Sequence, residues 1–313
     1  VTIQVGFAAG GGYDITTRVV ARHLGRFIPG NPAVVVQNVP GAGSMQVANF
    51  IFNAAPRDGT VLGVFSASVS LEPLFGNAVA KFDPRKYSWI GSFHRESPSC
   101  GVWRAARPDI SSLDDLIATK QTVVFGSTGP AAPTTTHPML LKNMFGANAK
   151  VVVGYKGTKD VNLAMQSGEV HATCGMFETA IKGSFRQDVE AGRLVIFVHF
   201  RPAGTVPVFG SATSMYGRIK TERDRQIADL IFREADLTRP LAAPPGVPPE
   251  IVAALRRAML DTMRDPELVA DGKKMETEFN PLSGEDTVRL FEQLYDTPSE
   301  IVKQAQQYVR LTE

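Results

Sequence analysis

The chain has 313 residues, 43% hydrophobic and 20% charged, with a formal net charge of +2. That length accommodates two domains or one large one, and the composition is that of an ordinary soluble globular protein. No basic block or aromatic-basic interleaving points to nucleic acid, and no apolar stretch reaches the roughly 18 residues of a membrane helix.

Val1 to Phe7 reads as a short apolar strand, and Ile15 to Phe27 as an amphipathic helix. Between them lie Gly10, Gly11 and Gly12, where the backbone can come close to a ligand. Asp14 is expected to cap the helix, its carboxylate accepting a first-turn N–H. The remaining free N–H groups and the positive end of the helix dipole make such a turn a site for an anion. The alternative is a tight connection that binds nothing. Neither phosphate pattern fits. The dinucleotide pattern needs glycine where Ile15 or Gln46 stands, and no Gly-Lys-Ser or Gly-Lys-Thr occurs in the chain. A carboxylate suits the same geometry.

Further along, Ala33–Gln37 and Thr60–Phe65 read as strands flanking a helix over Ser44–Ala54. Tyr87–Phe93 and Gly101–Ala105 follow as strands, broken at His94 to Pro98. Ser112-Leu113-Asp114-Asp115 is a capping-box pattern. Strands over Gln121–Phe125, Lys150–Val153, Glu169–Thr173 and Leu194–Phe200 alternate with helices over Thr134–Phe145, Thr158–Ser167 and Phe177–Glu190. That alternation predicts parallel sheet in an α/β fold. After Arg201 the pattern becomes turn-rich, then helical over Thr221–Asp236, Pro249–Arg264 and Glu285–Val309. Pro249 suits a first helical position. A helical tail of this kind is expected to return and cover the first domain.

Two further turns are rich in hydroxyls. Gly126 to Thr136 sits between a strand and a helix, and Ser127, Thr128 and Thr134 could each donate to a carboxylate oxygen; a solvated capping loop is the competing reading. Ser66 to Ser70 follows a strand, where open α/β sheets place ligands. A serine-hydrolase elbow at Ser127 is excluded because Phe125 stands where glycine is required. The five histidines show no metal spacing, and His23 reads as a packing residue. No nucleophile arrangement emerges, so neither catalysis nor a metal or cofactor is expected. Cys100 and Cys174, the only cysteines, could form a disulfide or remain two buried thiols. Val1, with no initiator Met or leader before it, suggests a processed or trimmed chain.

An ordered set of motifs then carries a family. Gly6 to Asp14, Val36-Gln37-Asn38-Val39-Pro40-Gly41-Ala42-Gly43 and Ala55-Pro56-Arg57-Asp58-Gly59-Thr60 resemble the Bug-type substrate-binding proteins, periplasmic receptors of tripartite tricarboxylate transporters. The resemblance continues through Phe125 to Gly129, Gly154-Tyr155-Lys156-Gly157, Ser167 to Val170 and Ala191 to Leu194, covering roughly residues 1–300. It implies an α/β, two-lobed periplasmic binding protein fold (type II), each lobe a mainly parallel sheet flanked by helices, with the ligand cleft between. Lobe 1 would be 1–98 plus 207–313 and lobe 2 would be 99–206.

By the same resemblance, a ligand carboxylate is held at the first loop, here Phe7, Ala9, Gly10, Gly11, Gly12, Tyr13 and Asp14. Ser127, Thr128, Thr134 and Thr135 complete the grip, with Ser66, Ser68, Gly157 and Thr158 lining the walls. An acidic residue of the family corresponds to Glu178. The chain departs from the family at Gly129-Pro130-Ala131-Ala132-Pro133, where many members carry Gly-x-Gly-Ser. The expectation is a non-enzymatic, monomeric periplasmic receptor for a small di- or tricarboxylate or aromatic acid, closing by hinge motion and serving membrane permease subunits. Delivery to a sensor kinase is the runner-up, and an α/β enzyme acting on a carboxylate the third reading. Export to an oxidising compartment inclines the cysteine pair towards a disulfide.

Overall fold

The computed structural model describes residues 1–202, 204, 206–275 and 279–311. Residues 276–278, 312 and 313, placed in lobe 1 by the sequence, lie outside the described residues. The chain forms two compact units, Val1–Arg95 with Asp236–Thr297, and Glu96–Ala235 with Pro298–Glu313.

The first unit begins with β1 (Thr2–Val5), α1 (Gly12–Leu24), β2 (Val35–Asn38), α2 (Met45–Asn53), β3 (Val61–Val64) and β4 (Ser88–His94). The second follows with β5 (Pro98–Trp103), α3 (Leu113–Ala118), β6 (Val123–Ser127), α4 (Pro133–Phe145), β7 (Ala149–Val153), α5 (Thr158–Gln166) and β8 (Ala172–Phe177). It continues through α6 (Glu178–Lys182), α7 (Arg186–Glu190), β9 (Leu194–His199), β10 (Thr213–Ser214) and α8 (Glu222–Phe232). The chain re-enters the first unit as β11 (Thr238–Ala243), α9 (Pro249–Arg264), α10 (Pro266–Lys274), β12 (Leu282–Ser283) and α11 (Gly284–Tyr295). It ends in the second as α12 (Ser299–Val309).

The first unit's sheet runs β12-β4-β11-β3-β1-β2. β1 pairs parallel with β2 and β3, while β11 is antiparallel to β3 and β4. One face buries Ile3, Val5, Val20, Leu24, Leu62, Val64 and Met259 with α1 and α9. Around Trp89, Phe65 and Tyr87 pack at 5.8 and 5.1 Å, and Phe291 of α11 stacks at 4.8 Å. α2 lies close on β3: a Cβ at Gly63 would stand 2.5 Å from Ile51 Cγ1.

The second unit's sheet runs β10-β9-β5-β8-β6-β7. β6 is parallel to β7 and β8, and β5 is antiparallel to β8 and β9. Met165, Val170, Met176, Ile181, Phe185 and Leu194 form a core with Trp103 and Phe209. Elsewhere in the unit Phe200 and Phe232 stack at 4.4 Å, with His137 4.9 Å from each. Cys100 in β5 and Cys174 in β8 are disulfide-bonded, their Cα atoms 4.0 Å apart. Adjacent strands bring the pair together, which settles the alternative left open by the sequence.

Both sheets keep the parallel strands expected, with β11 running against its neighbours in one and β5 in the other. Other expectations change. The domain boundaries differ. α12 packs on α4 and α8, so residues 207–235 and 298–311 belong to the second unit rather than to the first, as do residues 96–98. The helix read over Phe177–Glu190 is two helices separated at Gly183, and the one over Glu285–Val309 is divided before Ser299, with Pro298 as the N-cap of α12. Among the described residues no helix is long and apolar enough to cross a membrane.

Candidate functional site

In the first unit, three loops leave the carboxyl ends of the parallel strands and meet. Gly6 follows β1, and a Cβ there would stand 2.3 Å from Ser44 Cβ, so only glycine allows the approach. Ser44 precedes α2 in a left-handed conformation (φ 81°), after Ala42 and Gly43, which are also left-handed. Three such residues in a row are strained for the two that carry a Cβ. The Ser66 N–H donates to Ser44 Oγ at 2.9 Å, tying in the turn after β3. In that turn the Ser66 and Ser68 hydroxyls are 2.8 Å apart, and Ser70 Oγ is buried with no hydrogen-bond partner among the described residues.

The glycine loop lies on this edge. Helix α1 starts at Gly12 with Gly11 as its N-cap, so Asp14 stands inside the first turn and is not the cap. This corrects the sequence reading. The buried Asp14 carboxylate reaches back instead and accepts the Gly10 N–H at 2.8 Å. Its other oxygen accepts from Arg18 Nε and Asn38 Nδ2, both at 2.8 Å, and Asn38 Nδ2 also donates to the Phe7 carbonyl. Asp14 therefore folds the loop over. The N–H groups of Gly11 and Gly12 have no acceptor among the described residues, as expected at a helix start. Gly10, at φ 82°, is the position that needs glycine's freedom. Gly11 is not: its φ is −84°, and an added Cβ would meet only the Ala8 carbonyl at 3.6 Å. Ala9 is exposed, and Phe7 packs against Tyr13 with ring centroids 4.5 Å apart.

Arg239 also belongs to this edge. It sits in β11 with 1% of its surface exposed and a φ of 62°. Its Nε donates to the Gly12 carbonyl at 3.2 Å, and its guanidinium lies 5.4 Å from the Tyr13 ring centroid. Sequence reasoning missed it, because Thr-Arg-Pro-Leu-Ala-Ala offers a weak strand pattern with a proline inside.

The second unit presents a comparable edge after β6, β7 and β8. Ser127 Oγ lies 2.8 Å from Thr134 Oγ1 and 2.5 Å from Thr135 Oγ1, and the Thr135 hydroxyl donates to the Gly129 carbonyl at 2.8 Å. The Thr128 N–H donates to Thr134 Oγ1 at 3.0 Å. Ser127 and Thr135 are fully buried, so these hydroxyls serve the turn itself. Gly154 and Tyr155 N–H groups both donate to the Ser127 carbonyl, which brings the loop carrying Gly157 and Thr158 to the same edge. Gly157 is the N-cap of α5.

Glu178 begins α6, directly after β8. Its carboxylate accepts the Ser97 N–H at 3.2 Å. Burial pushes its pKa up, opposed by that hydrogen bond; the Glu96 charge raises it further, and Arg201 and Lys182 pull it back. Glu96, absent from the sequence reading, is 7% exposed and accepts the Thr179 N–H at 3.0 Å and the Thr179 hydroxyl at 3.1 Å. No sequence pattern marks it, since it falls in the stretch read as a break.

Sixteen candidate residues thus divide between two edges. Phe7, Ala9 to Asp14, Ser66 and Ser68 gather in the first unit, and Ser127, Thr128, Thr134, Thr135, Gly157, Thr158 and Glu178 in the second. His23 lies apart from both. With Asp265 and Glu267 it forms a cluster of metal-ligand type, but the Arg26 guanidinium bonds to all three. A cation is already in place there, as suits a packing role.

No family model matches the sequence, and no curated protein does. Solved structures do match. The periplasmic binding protein BugD superposes with a TM-score of 0.78 at 20% identity, covering 99% of this chain and 98% of its own. The fold is that of the periplasmic binding proteins. An R. palustris protein solved with adipate gives 0.75 at 18% identity (97% and 96% covered). MatC from Rhodopseudomonas palustris, with bound malate, gives 0.72 at 17% identity (96% and 98% covered).

Proposed function

We propose that this chain is a Bug-type extracytoplasmic solute receptor. It captures a small organic carboxylate in the periplasm and presents it to the membrane subunits of a tripartite tricarboxylate transporter, without chemical turnover. The observation that carries the reading is the glycine loop. Gly11 and Gly12 offer two backbone donors at the start of a thirteen-residue helix, whose dipole favours negative charge at that end. Neither loop pattern for nucleotide phosphate is present, and a carboxylate oxygen pair matches two adjacent N–H donors. The likeness to folds solved with adipate and with malate supports the same ligand class.

A thermal-shift panel of mono-, di- and tricarboxylates tests it, alongside native mass spectrometry of freshly purified protein for a retained ligand. At least one acid should raise the melting temperature. Ligand at about 100 times its Kd stabilises by about 2.7 kcal/mol. A panel in which only sugars, amines or nucleotides stabilise removes the carboxylate reading.

A further inference from the structure

We propose that the second unit carries a further binding site, at the opposite end of its sheet from the Ser127 turn, for a small neutral polyhydroxyl compound, a polyol or sugar. An open pocket of about 690 Å³ lies there, lined by α5, α7 and residues bordering β5 and β9. Trp103, in its wall, pairs with Leu194, and the preceding Val102 pairs with Ala172, so the pocket stands at the amino ends of β8 and β9. The loops after β6 and β7 leave from the other end of the sheet. The site is independent of the carboxylate reading.

The polar lining is a closed network with one group left over. Asp188, 7% exposed, accepts Asn162 Nδ2 at 3.2 Å, Gln166 Nε2 at 3.1 Å and Arg193 Nε at 2.9 Å. The first of these bonds sets the direction of the Asn162 amide. Turned over, its carbonyl oxygen would face a carboxylate oxygen. Held this way, and with Asn162 only 9% exposed, Asn162 Oδ1 is buried with no hydrogen-bond partner among the described residues. A buried acceptor without a donor is costly, and this one belongs to the lining of a pocket. Trp103 lines the same pocket, and its indole N–H has no acceptor among the described residues.

These unused groups select the ligand. Charge in the pocket is already balanced, with Arg193 against Asp188 and Arg186 against Glu190. An added carboxylate would meet the bare Asn162 oxygen, and an added ammonium would meet two guanidiniums. A hydroxyl donates and accepts at once. One compound with several hydroxyls can therefore donate to Asn162 Oδ1 and accept from the Trp103 indole without bringing a charge. The volume falls in the range of small-molecule sites.

The chain's two tryptophans supply a reporter and a control. Trp89 is fully buried, its indole N–H donating to the Pro84 carbonyl at 2.7 Å. The full chain, isotope-labelled at the indole nitrogens, is titrated by NMR with glycerol, inositol and glucose, and with malate and putrescine as charged comparisons. Millimolar concentrations keep out the general stabilisation that polyols cause by exclusion from protein surfaces. At least one hydroxyl compound should shift the Trp103 signal saturably and leave the Trp89 signal in place. Asn162→Leu, close in shape but without the acceptor, should raise the Kd of that compound about fivefold or more. An unchanged Kd in this variant overturns the proposal. So does a saturable shift from malate or putrescine alone, which would make the site one for charge. No saturable shift from any of the three hydroxyl compounds leaves only water at Asn162 and also overturns it. Should Asn162→Leu fail to fold, Trp103→Phe decides by ligand-observed saturation transfer: a Kd raised about fivefold supports the site, and an unchanged one removes it.

Discussion

The glycine turn after β1 and the hydroxyl turn after β6 occupy equivalent places. Each follows a parallel strand flanked by two other parallel strands, and each opens a thirteen-residue helix. Their polar groups are used in opposite ways. The hydroxyl turn has the richer set of donors, yet Ser127, Thr134 and Thr135 bond to one another and to the Gly129 carbonyl. The glycine turn has almost no polar side chains, and its one carboxylate is occupied with Gly10, Arg18 and Asn38. This poorer turn leaves two adjacent backbone donors, Gly11 and Gly12, without acceptors among the described residues, where the hydroxyl turn leaves the Thr134 N–H beside its own bonded hydroxyls. Donor-rich sequence therefore marks a turn that can stabilise itself, and a glycine run marks one that needs something from outside.

The largest effect expected from breaking this comparison is covalent. The Cys100–Cys174 bridge closes a loop that contains the whole hydroxyl turn and leaves the glycine turn outside it. By the loop-entropy relation, a closure of this length stabilises by about 4 kcal/mol. Cys100→Ala with Cys174→Ala should lower the denaturant midpoint and raise amide exchange across β5 to β8. Exchange in residues 1–70 should change much less. Equal acceleration in both regions would contradict the contrast.

Next comes the glycine turn itself. Gly11→Val has room for its Cβ and no positive φ to violate, so the fold should survive. The side chain would stand where a ligand must approach the two N–H groups. Carboxylate affinity should drop about 100-fold or more, roughly 2.7 kcal/mol, with little change in melting temperature. Gly10→Ala is the converse control. At φ 82° it should cost stability, about 1 kcal/mol, while its effect on binding stays indirect. A folded Gly11→Val with wild-type affinity would reduce the loop to a connection.

The hydroxyl turn should answer differently. Thr135→Val removes a buried hydroxyl that donates to Gly129 and meets Ser127. Stability should fall by about 1–2 kcal/mol, and carboxylate affinity by less than about threefold on the same reasoning about buried, internally satisfied groups. Urea unfolding and calorimetry on one preparation measure both quantities. An affinity loss larger than the stability loss would place Thr135 against the ligand after all.

Much of this was legible before any coordinates. Hydrophobic periodicity and punctuation located most strands and helices to within a few residues, and Pro249 opens α9 as its position suggested. Ser112 caps α3, accepting the Asp115 N–H as the capping box required. What failed did so for physical reasons. β11 was hidden because Arg239 and Pro240 weaken any strand pattern, and tertiary pairing on both sides overrides that propensity. Asp14 was misassigned because helix α1 begins at a glycine rather than at the first residue of good propensity. The membership of α8 and α12 depends on long-range packing that local sequence does not report. Of the site, the loops were legible; their hydrogen-bond partners were not.

The smallest expected effect is electrostatic and isolates Glu178. Its pKa is raised above the ordinary carboxylate value chiefly by burial, with Glu96 adding repulsion. A carboxyl whose folded pKa lies above its unfolded one favours the protonated folded state. Its contribution to stability is complete below about pH 4.5 and is lost as pH rises through the folded pKa. Glu178→Gln removes the charge while keeping an oxygen able to accept the Ser97 N–H. The variant should therefore be more stable than wild type at pH 7.5. The gain should be modest, about half a kcal/mol, since the group remains partly solvated and water screens the repulsion. At pH 4 the advantage should shrink, because both states of the wild type are then largely protonated. Glu96→Gln provides the contrast. Glu96 accepts both the N–H and the hydroxyl of Thr179, and one of those donors would face an amide nitrogen in the variant, so stability should fall. Paired melting curves at the two pH values read both signs. A Glu178→Gln variant less stable at pH 7.5 than at pH 4, relative to wild type, would show that its carboxylate is held in the charged form.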